Sequence, residues 1–282
     1  MKISGRTKVV GIFGDPVGHS LSPKMQNAAL QACGIDAVYV AFHVGPQSLA
    51  AAVEAIRTLG MIGANVTVPH KENVIPYLDR LDPRAERIGA VNTIVHRQGE
   101  LIGYNTDGVG LIRALQSQFK FNPAAKKVVL LGAGGAARAA LCALADAGAA
   151  KIILLNRTVE KAEDLVANFA RTFPSVEIEA HSLVEEEVLP AVGQADLLIN
   201  TTTVGLHGED FDLELIGHLP ESGLFFDMVY TAMVSPLQQS AARRGIPFAD
   251  GRGMLVGQGE AAFALWFDQP APVGIMEKNV AK

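Results

Sequence analysis

Three short segments near the start of the chain gather side chains that can hold an anion and move a proton. Gly18-His19-Ser20-Leu21-Ser22-Pro23 places two hydroxyls just ahead of a helix that opens on proline. Ser22 reads either as an N-cap or, with Ser20, as a ligand for a carboxylate favoured by the helix dipole. Asn65-Val66-Thr67-Val68-Pro69-His70-Lys71 alternates polar Asn65 and Thr67 with valines at a strand end, and Lys71 follows the proline into a new helix. A lysine there is either a solvated cation or an acid–base group. Gly103-Tyr104-Asn105-Thr106-Asp107-Gly108 sets a carboxylate at a helix start. Asp107 reads as a cap, as the partner that orients the Lys71 amine, or as both.

A fourth segment is built for binding. An apolar strand, Val128–Leu131, runs into Gly132-Ala133-Gly134-Gly135-Ala136 and an alanine-rich helix over Ala136–Ala147, with Gly148 as its C-cap. A second apolar strand ends at Asn156-Arg157-Thr158. Such a glycine turn brings backbone N–H groups and a helix N-terminus up to a pyrophosphate, with Ala137 in place of the third fingerprint glycine. A carboxylate at the second strand end would select NAD; here Arg157 stands where a cation meets a 2′-phosphate, with Lys161 one turn on and Thr158 as helix cap or phosphate ligand. The expected cofactor is therefore NADP, and the expected chemistry hydride transfer. No Cys/His cluster has zinc spacing, so no metal site is expected, and no tyrosine has a lysine four residues later. The proton donor must come from a lysine, carboxylate or histidine, and is expected in the first domain.

The bulk composition fits an enzyme of this kind. With 49% hydrophobic residues and a net charge of −5, the chain has the profile of a packed globular protein and no basic surface for nucleic acid or anionic membrane. Cys33 and Cys142 form no close motif and read as buried thiols of a reducing cytoplasm. The N-terminus lacks the apolar core of a signal peptide, and no apolar run is long enough to span a bilayer. A cytoplasmic monomer or homodimer with a small-molecule substrate is expected.

These residues need elements to hold them. Val9–Phe13, Val38–Phe42 and Ala64–Val68 read as strands, and Pro23–Cys33 and Pro46–Leu59 as helices. Val91–Val95 and Leu101–Tyr104 flank the hairpin signal Arg97-Gln98-Gly99, and a helix runs from Asp107 to Phe119. Later strands are Asp196–Asn200, Leu224–Val229 and Ile246–Phe248, and Glu185-Glu186-Glu187 reads as a solvated helix face. The expected fold is α/β with two domains: an N-terminal α/β substrate domain (1–106), a Rossmann NADP-binding domain (107–250), and a C-terminal helix near Gly253–Phe267 that packs back on the first domain (251–282).

The segments together resemble the shikimate dehydrogenases, the NADP-dependent shikimate 5-dehydrogenase family. The ordered set runs through Gly14-Asp15-Pro16, His19–Pro23, Asn65–Lys71, Gly89-Ala90-Val91-Asn92-Thr93, Asn105–Gly108, Gly132–Ala136, Asn156-Arg157-Thr158, Asp227-Met228-Val229-Tyr230 and Gly253-Met254-Leu255-Val256-Gly257-Gln258. The resemblance implies reversible NADPH-dependent reduction of 3-dehydroshikimate to shikimate, on the route to chorismate and the aromatic amino acids. It implies Lys71 and Asp107 as the catalytic pair. Ser20 and Ser22, assisted by Tyr230, would bind the substrate carboxylate, and Asn65, Thr67, Asn92 and Gln258 the ring hydroxyls. Cofactor contacts are expected from Gly132, Ala133, Gly134, Gly135, Ala136, Asn156, Arg157, Thr158, Lys161, Thr202, Met228 and Gly251. His70 reads as a structural neighbour of the site. Asn200-Thr201-Thr202-Thr203 departs from the family's Asn-Ala-Thr-Ser pattern, and Arg252 and Gly257 are further departures. Two rivals stand beside this reading: a quinate/shikimate dehydrogenase that uses NAD, and a non-catalytic NADP-binding regulator on the same fold.

Overall fold

Strands and helices alternate through the computed structural model, which describes residues 3–211, 213–231 and 233–281. The chain divides into two units, Met1–Gly110 with Leu255–Lys282, and Leu111–Met254. The first unit contains β1 (Lys8–Gly14), α1 (Ser22–Ala32), β2 (Ala37–His43), α2 (Leu49–Thr58), β3 (Gly63–Val66), β4 (Arg80–Leu81), α3 (Pro83–Ile88), β5 (Thr93–Arg97), β6 (Glu100–Tyr104) and the start of α4 (Asp107–Phe119). The second contains β7 (Lys127–Leu131), α5 (Gly135–Asp146), β8 (Lys151–Asn156), α6 (Val159–Ala170), β9 (Glu177–Ser182), α7 (Glu185–Val192), β10 (Leu197–Asn200), α8 (Leu215–His218), β11 (Leu224–Asp227), α9 (Pro236–Arg244) and β12 (Phe248–Asp250). Helix α10 (Arg252–Phe267) begins in the second unit and from Leu255 belongs to the first, as does α11 (Ile275–Val280). No helix among the described residues is long and apolar enough to cross a membrane.

The first sheet has the order β2-β1-β3-β5-β6-β4. Strand β1 pairs parallel with β2 and β3, whereas β5 runs antiparallel to β3 and to β6. Asn65 faces Thr93 across β3 and β5, and Thr93 faces Tyr104 across β5 and β6. This register puts the C-terminal ends of β1, β3 and β6 and the N-terminal end of β5 on one edge, where the three chemistry-bearing segments emerge. Phe13, Val53, Ile56, Val66, Ile94 and Leu101 pack one hydrophobic core of this unit. The β5–β6 hairpin turns at Gln98 and Gly99, both at positive φ (53° and 86°), as a tight two-residue hairpin turn requires.

The second sheet is all parallel, with the order β12-β11-β10-β7-β8-β9. Numbered from β7, this is the 3-2-1-4-5-6 order of a doubly wound dinucleotide-binding fold, whose switch point lies between β7 and β10. Near-continuous apolar runs suit strands covered on both faces; Val128 to Leu131, Ile152 to Leu155 and Leu197 to Ile199 are all buried.

Several local expectations are corrected. Ser22 is the first residue of α1, not its cap: Leu21 holds the N-cap position, without a side-chain bond. Lys71 enters no helix; a series of turns leads to a short 3₁₀ segment at Ile75–Tyr77. Pro46–Ser48 is likewise 3₁₀ before α2 starts. Strand β3 stops at Val66, and β12 starts at Phe248. Helix α5 is capped by Ala147, with Gly148 following in the left-handed region (φ 81°). Thr158 holds the N-cap position of α6, but its hydroxyl makes no cap bond. Cys142 is buried, whereas Cys33 is only half-buried. Helix α3 went unread, although its ends carry clear signals: Asp82 accepts from Arg84 N, Pro83 leads, and Gly89 closes in the left-handed region.

Candidate active site

The strand edge of the first unit assembles a buried ion pair. Lys71 Nζ lies 2.6 Å from Asp107 Oδ2, with side-chain exposures of only 16% and 6%. Burying two charges costs desolvation that their attraction offsets only when further hydrogen bonds satisfy the remaining atoms. Asn92 supplies one: its Nδ2 donates to Asp107 Oδ1 at 2.8 Å. Asn92 is itself fixed, since its Nδ2 reaches Thr106 Oγ1 at 2.9 Å and its Oδ1 accepts from Thr106 N at 2.8 Å and Thr93 Oγ1 at 2.9 Å. Asn105 Oδ1 accepts from Asp107 N, and Asn105 Nδ2 donates to Ala90 O. The Asp107 carboxylate thus faces Lys71 and Asn92 while its own amide is held by Asn105.

The lysine side is held by backbone. Lys71 O accepts from Val91 N at 2.8 Å, so the turn carrying the amine is tied to the segment that leads into Asn92. His70 is wholly buried and its Nε2 donates to Val44 O at 2.6 Å, pinning the same turn to the end of β2. Lys71 carries three N–H donors, and among the described residues only Asp107 accepts from it. Two donors of a partly buried ammonium are left for a ligand.

Around this pair the expected substrate residues fall into groups. Asn65 is buried and engaged, with Nδ2 donating to Asn92 O and Thr93 Oγ1 (both 3.0 Å) and Oδ1 accepting from Tyr39 OH at 2.7 Å. Gln258, on α10, brings its Oε1 to 3.4 Å from Asn92 Nδ2. Thr67 follows β3, packed so closely on Gly14 that a Cβ there would meet Thr67 Cγ2 at 2.4 Å. Ser20 and Ser22 share a bond, Ser22 N donating to Ser20 Oγ at 3.2 Å, on the connection that leaves the same sheet edge after β1. Tyr39, Thr93, Asn105 and Thr106 were not singled out by the sequence reading. Asn105 and Thr106 adjoin Asp107 in the chain, which was the available signal.

Tyr230 lies in the second unit, where burial raises its phenol above the ordinary range and Arg252 opposes the shift. That unit's remaining candidates cluster at the strand ends. Gly132 has φ 109°, and a Cβ there would meet Thr201 Oγ1 and Thr202 Cγ2 at 2.9 Å, so glycine is required where β7 meets β10. Gly134 is the N-cap of α5 with no side-chain bond, and a Cβ there would meet nothing within 4 Å. The first-turn N–H groups of α5 are therefore open to an anion. Ala133, Gly135 and Ala136 complete that turn, only partly buried. Arg157, Thr158 and Lys161 are exposed beyond β8, and Asn156 Nδ2 donates to Thr158 O at 2.8 Å. Thr202 bonds to Asn200 Oδ1 through both its N–H (3.1 Å) and its hydroxyl (2.7 Å). Met228 N donates to Asn200 O, and Gly251 packs against Met228 O. An uncapped helix N-terminus reached through a glycine turn, with exposed cations beyond the next strand, fits a phosphorylated dinucleotide.

An all-parallel doubly wound unit joined to a mixed-sheet unit with a buried amine–carboxylate pair defines a two-unit α/β dehydrogenase. Comparison with known proteins narrows the class. Residues 12–94 match the model of the shikimate dehydrogenase substrate binding domain, 114–206 that of shikimate / quinate 5-dehydrogenase, and 251–280 that of the shikimate 5′-dehydrogenase C-terminal domain. A shikimate dehydrogenase (NADP(+)) of Geobacter metallireducens is 47% identical over 280 residues, covering 99% of this chain and 98% of its own. A crystal structure of a shikimate dehydrogenase in complex with NADP+ superposes with a TM-score of 0.88 at 37% identity, covering 99% of this chain and 96% of that one. The Listeria monocytogenes shikimate 5-dehydrogenase, in complex with shikimate and NAD, gives 0.89 at 33% identity, covering 100% and 99%. The chain belongs to the shikimate dehydrogenase family.

Proposed function

We propose that this protein catalyses the reversible NADPH-dependent reduction of 3-dehydroshikimate to shikimate, the step that leads towards chorismate and the aromatic amino acids. The carrying observation is the Lys71–Asp107 pair, buried at the strand edge with two ammonium donors unused among the described residues. NADPH, when bound, supplies the hydride. The α5 N-terminus from Gly132 to Ala136 would hold its pyrophosphate, Arg157 and Lys161, with Asn156 and Thr158, its 2′-phosphoadenosine end, and Thr202, Met228 and Gly251 its other end.

The remaining chemistry belongs to the chain. Lys71 Nζ donates to the substrate carbonyl oxygen as that oxygen gains charge, and takes the proton back in the reverse direction; a positioned acid of this kind contributes about 10²–10⁴-fold. Asp107 holds the amine in place, and Asn92 and Asn105 hold Asp107. Ser20 and Ser22, with Tyr230, serve the substrate carboxylate, and Thr67, Asn65, Asn92 and Gln258 the hydroxyl-bearing ring. Asn65 and Asn92 have both amide hydrogens engaged within the protein. Among the described residues Asn65 Oδ1 accepts only from Tyr39 and keeps a lone pair for a ring hydroxyl, whereas Asn92 Oδ1 already accepts twice, so its part is to shape the site. A hydroxyl-rich anion suits such a lining, because an analogue lacking a hydroxyl leaves buried polar groups unpaired.

The test is a comparison of initial rates for shikimate and quinate, each with NADP and NAD. Fastest turnover with shikimate and NADP is expected. Faster turnover of quinate with NAD would favour the rival dehydrogenase. NADPH binding without any turnover of 3-dehydroshikimate would favour the regulator.

A further inference from the structure

The second unit contains a buried carboxylate that the hydride and proton steps do not use. Asp227 ends β11 with no exposure, and it accepts four hydrogen bonds. Its Oδ1 accepts from Asn200 Nδ2 at 2.9 Å and Val229 N at 3.1 Å. Its Oδ2 accepts from Ser235 Oγ at 2.8 Å and Gln238 Nε2 at 2.9 Å. Four donors fill the acceptor capacity of an ionised carboxylate. Ser235 is the N-cap of α9 and Gln238 closes its capping box, so the charge also sits at the favourable end of a nine-residue helix. Burial pushes the Asp227 carboxyl above the ordinary carboxylate range, while all four donors pull it back.

The two Oδ1 arms end in segments with work to do. Asn200 is itself wholly buried and carries the contact onward: its Nδ2 also donates to Val204 O at 3.0 Å, and its Oδ1 accepts both bonds from Thr202. Thr202 Oγ1 in turn accepts from Val204 N at 3.1 Å. The Val229 arm fixes the peptide that joins Met228 to Val229, just ahead of Tyr230. One buried side chain therefore sets the Thr202 turn, the Met228–Tyr230 segment and the start of α9 together.

We propose that Asp227 is a positioning residue for the reaction, holding the Thr202 turn and the Met228–Tyr230 segment in register with each other through Asn200 and the Val229 amide. This rests on the reading that Thr202 and Met228 meet the cofactor and Tyr230 the substrate. A carboxylate is required at this position because an amide offers one acceptor where two are needed. In Asp227→Asn the new NH₂ faces one pair of donors, and as the side chain turns away from that pair its bonds to the other pair are strained with it.

The test uses Asp227→Asn and Asn200→Ala in the full-length protein, assayed well below their unfolding temperatures. In Asp227→Asn, kcat is expected to fall on the order of 10- to 100-fold, as small misplacements remote from the reacting atoms do. In the ligand-free protein, amide hydrogen exchange at Thr202 and Val229 should quicken by about tenfold, the loss of one buried bond. Asn200→Ala should quicken exchange at Thr202 only, and its effect on kcat should be less than additive with that of Asp227→Asn. Wild-type kcat, KM and exchange in a folded Asp227→Asn variant with merely a lower Tm would overturn the proposal, as would additive effects on kcat. If Asp227→Asn does not fold, Asn200→Ala carries the test by itself, and unchanged kcat there overturns the proposal. Absence of wild-type turnover with 3-dehydroshikimate would instead strike the functional reading. Exchange and NADPH affinity by fluorescence titration still decide the role of Asp227 in that case.

Discussion

Lys71 and Asp107 are 36 positions apart in the chain, yet their charged atoms lie 2.6 Å apart. The sheet register brings them together. Asn65 pairs with Thr93, and Thr93 with Tyr104, so the segments after β3 and β6 leave the sheet side by side, with Asn92 between them at the entry to β5. Asn92 then ties the pair to the sheet through Thr93, Thr106 and Asp107. The amine is oriented by a carboxylate that is itself oriented, which keeps the unused ammonium donors in one place before any ligand arrives.

Lys71→Ala is expected to lower kcat by about 10²–10⁴-fold with modest change in KM, because the amine acts chiefly as charge develops on the carbonyl oxygen. Steady-state kinetics in both directions measure this, and wild-type kcat in the variant would remove the lysine from the mechanism. Stability gives an independent reading. Removing one member of a buried pair leaves an uncompensated charge, at a cost of about 3–5 kcal/mol, whereas removing both charges is milder. Thermal unfolding should therefore rank Lys71→Met alone below Lys71→Met with Asp107→Asn. The reverse order would mean that the pair is not coupled.

Arg157→Ala is expected to weaken NADP(H) binding by about 10- to 100-fold, the loss of a charge-assisted phosphate contact, and to leave NAD(H) binding nearly unchanged. Arg157 is exposed, so the discrimination should also shrink as salt rises. Fluorescence titrations with both cofactors at two ionic strengths read this directly. Equal losses for the two cofactors would show that Arg157 does not read the 2′-phosphate.

Much of this was legible in the sequence because it is local. Valine- and isoleucine-rich runs gave the strands, Gln98-Gly99 the hairpin, and Gly132–Ala136 the turn into α5. The sequence puts Lys71 on a helix because proline often opens one; in the structure Pro69 precedes a series of turns held by Val44 and Val91. The capping reading of Ser22 rested on residue type and missed that the helix starts one residue sooner. Neither Asn92's grip on Asp107 nor Asn200's on Asp227 could be read, since each depends on the register of strands distant in the chain.

Gly251→Ala should disturb the segment that carries Tyr230. A Cβ at 251 would lie 2.2 Å from Met228 O and 3.2 Å from Tyr230 Cδ1, and a backbone oxygen in a packed segment has little room to retreat. Arg252 follows directly, its N–H donating to Asp250 Oδ1 and its Nη2 to Thr231 O, so the strain falls on a stretch pinned at both ends. Overpacking of this kind costs about 1–3 kcal/mol, or a few degrees of Tm. Differential scanning calorimetry measures it, and an unchanged Tm would mean that the segment yields freely.

The pH dependence of stability should carry the mark of Lys151. Its Nζ lies 2.9 Å from Glu177 Oε1 and 2.8 Å from Glu179 Oε1, across the β8–β9 edge. The bonds to Glu179 and Glu177 raise the Lys151 pKa above 10.5, so its contribution is complete below that value and is lost as pH climbs through the folded pKa. The bond to Lys151 lowers the Glu179 pKa below 4.5, so that contribution is complete above 4.5 and is lost as pH falls through the folded pKa. Lys151→Met should therefore lower Tm by a nearly constant amount between these limits, and the gap to wild type should close in acid as Glu179 protonates. Both carboxylates are partly exposed, so the plateau gap should be small and should narrow in salt. Tm measured from pH 3 to 10 on both proteins tests this; a gap that persists undiminished at the acid end would assign the loss to the packing of the lysine stem, not to its charge.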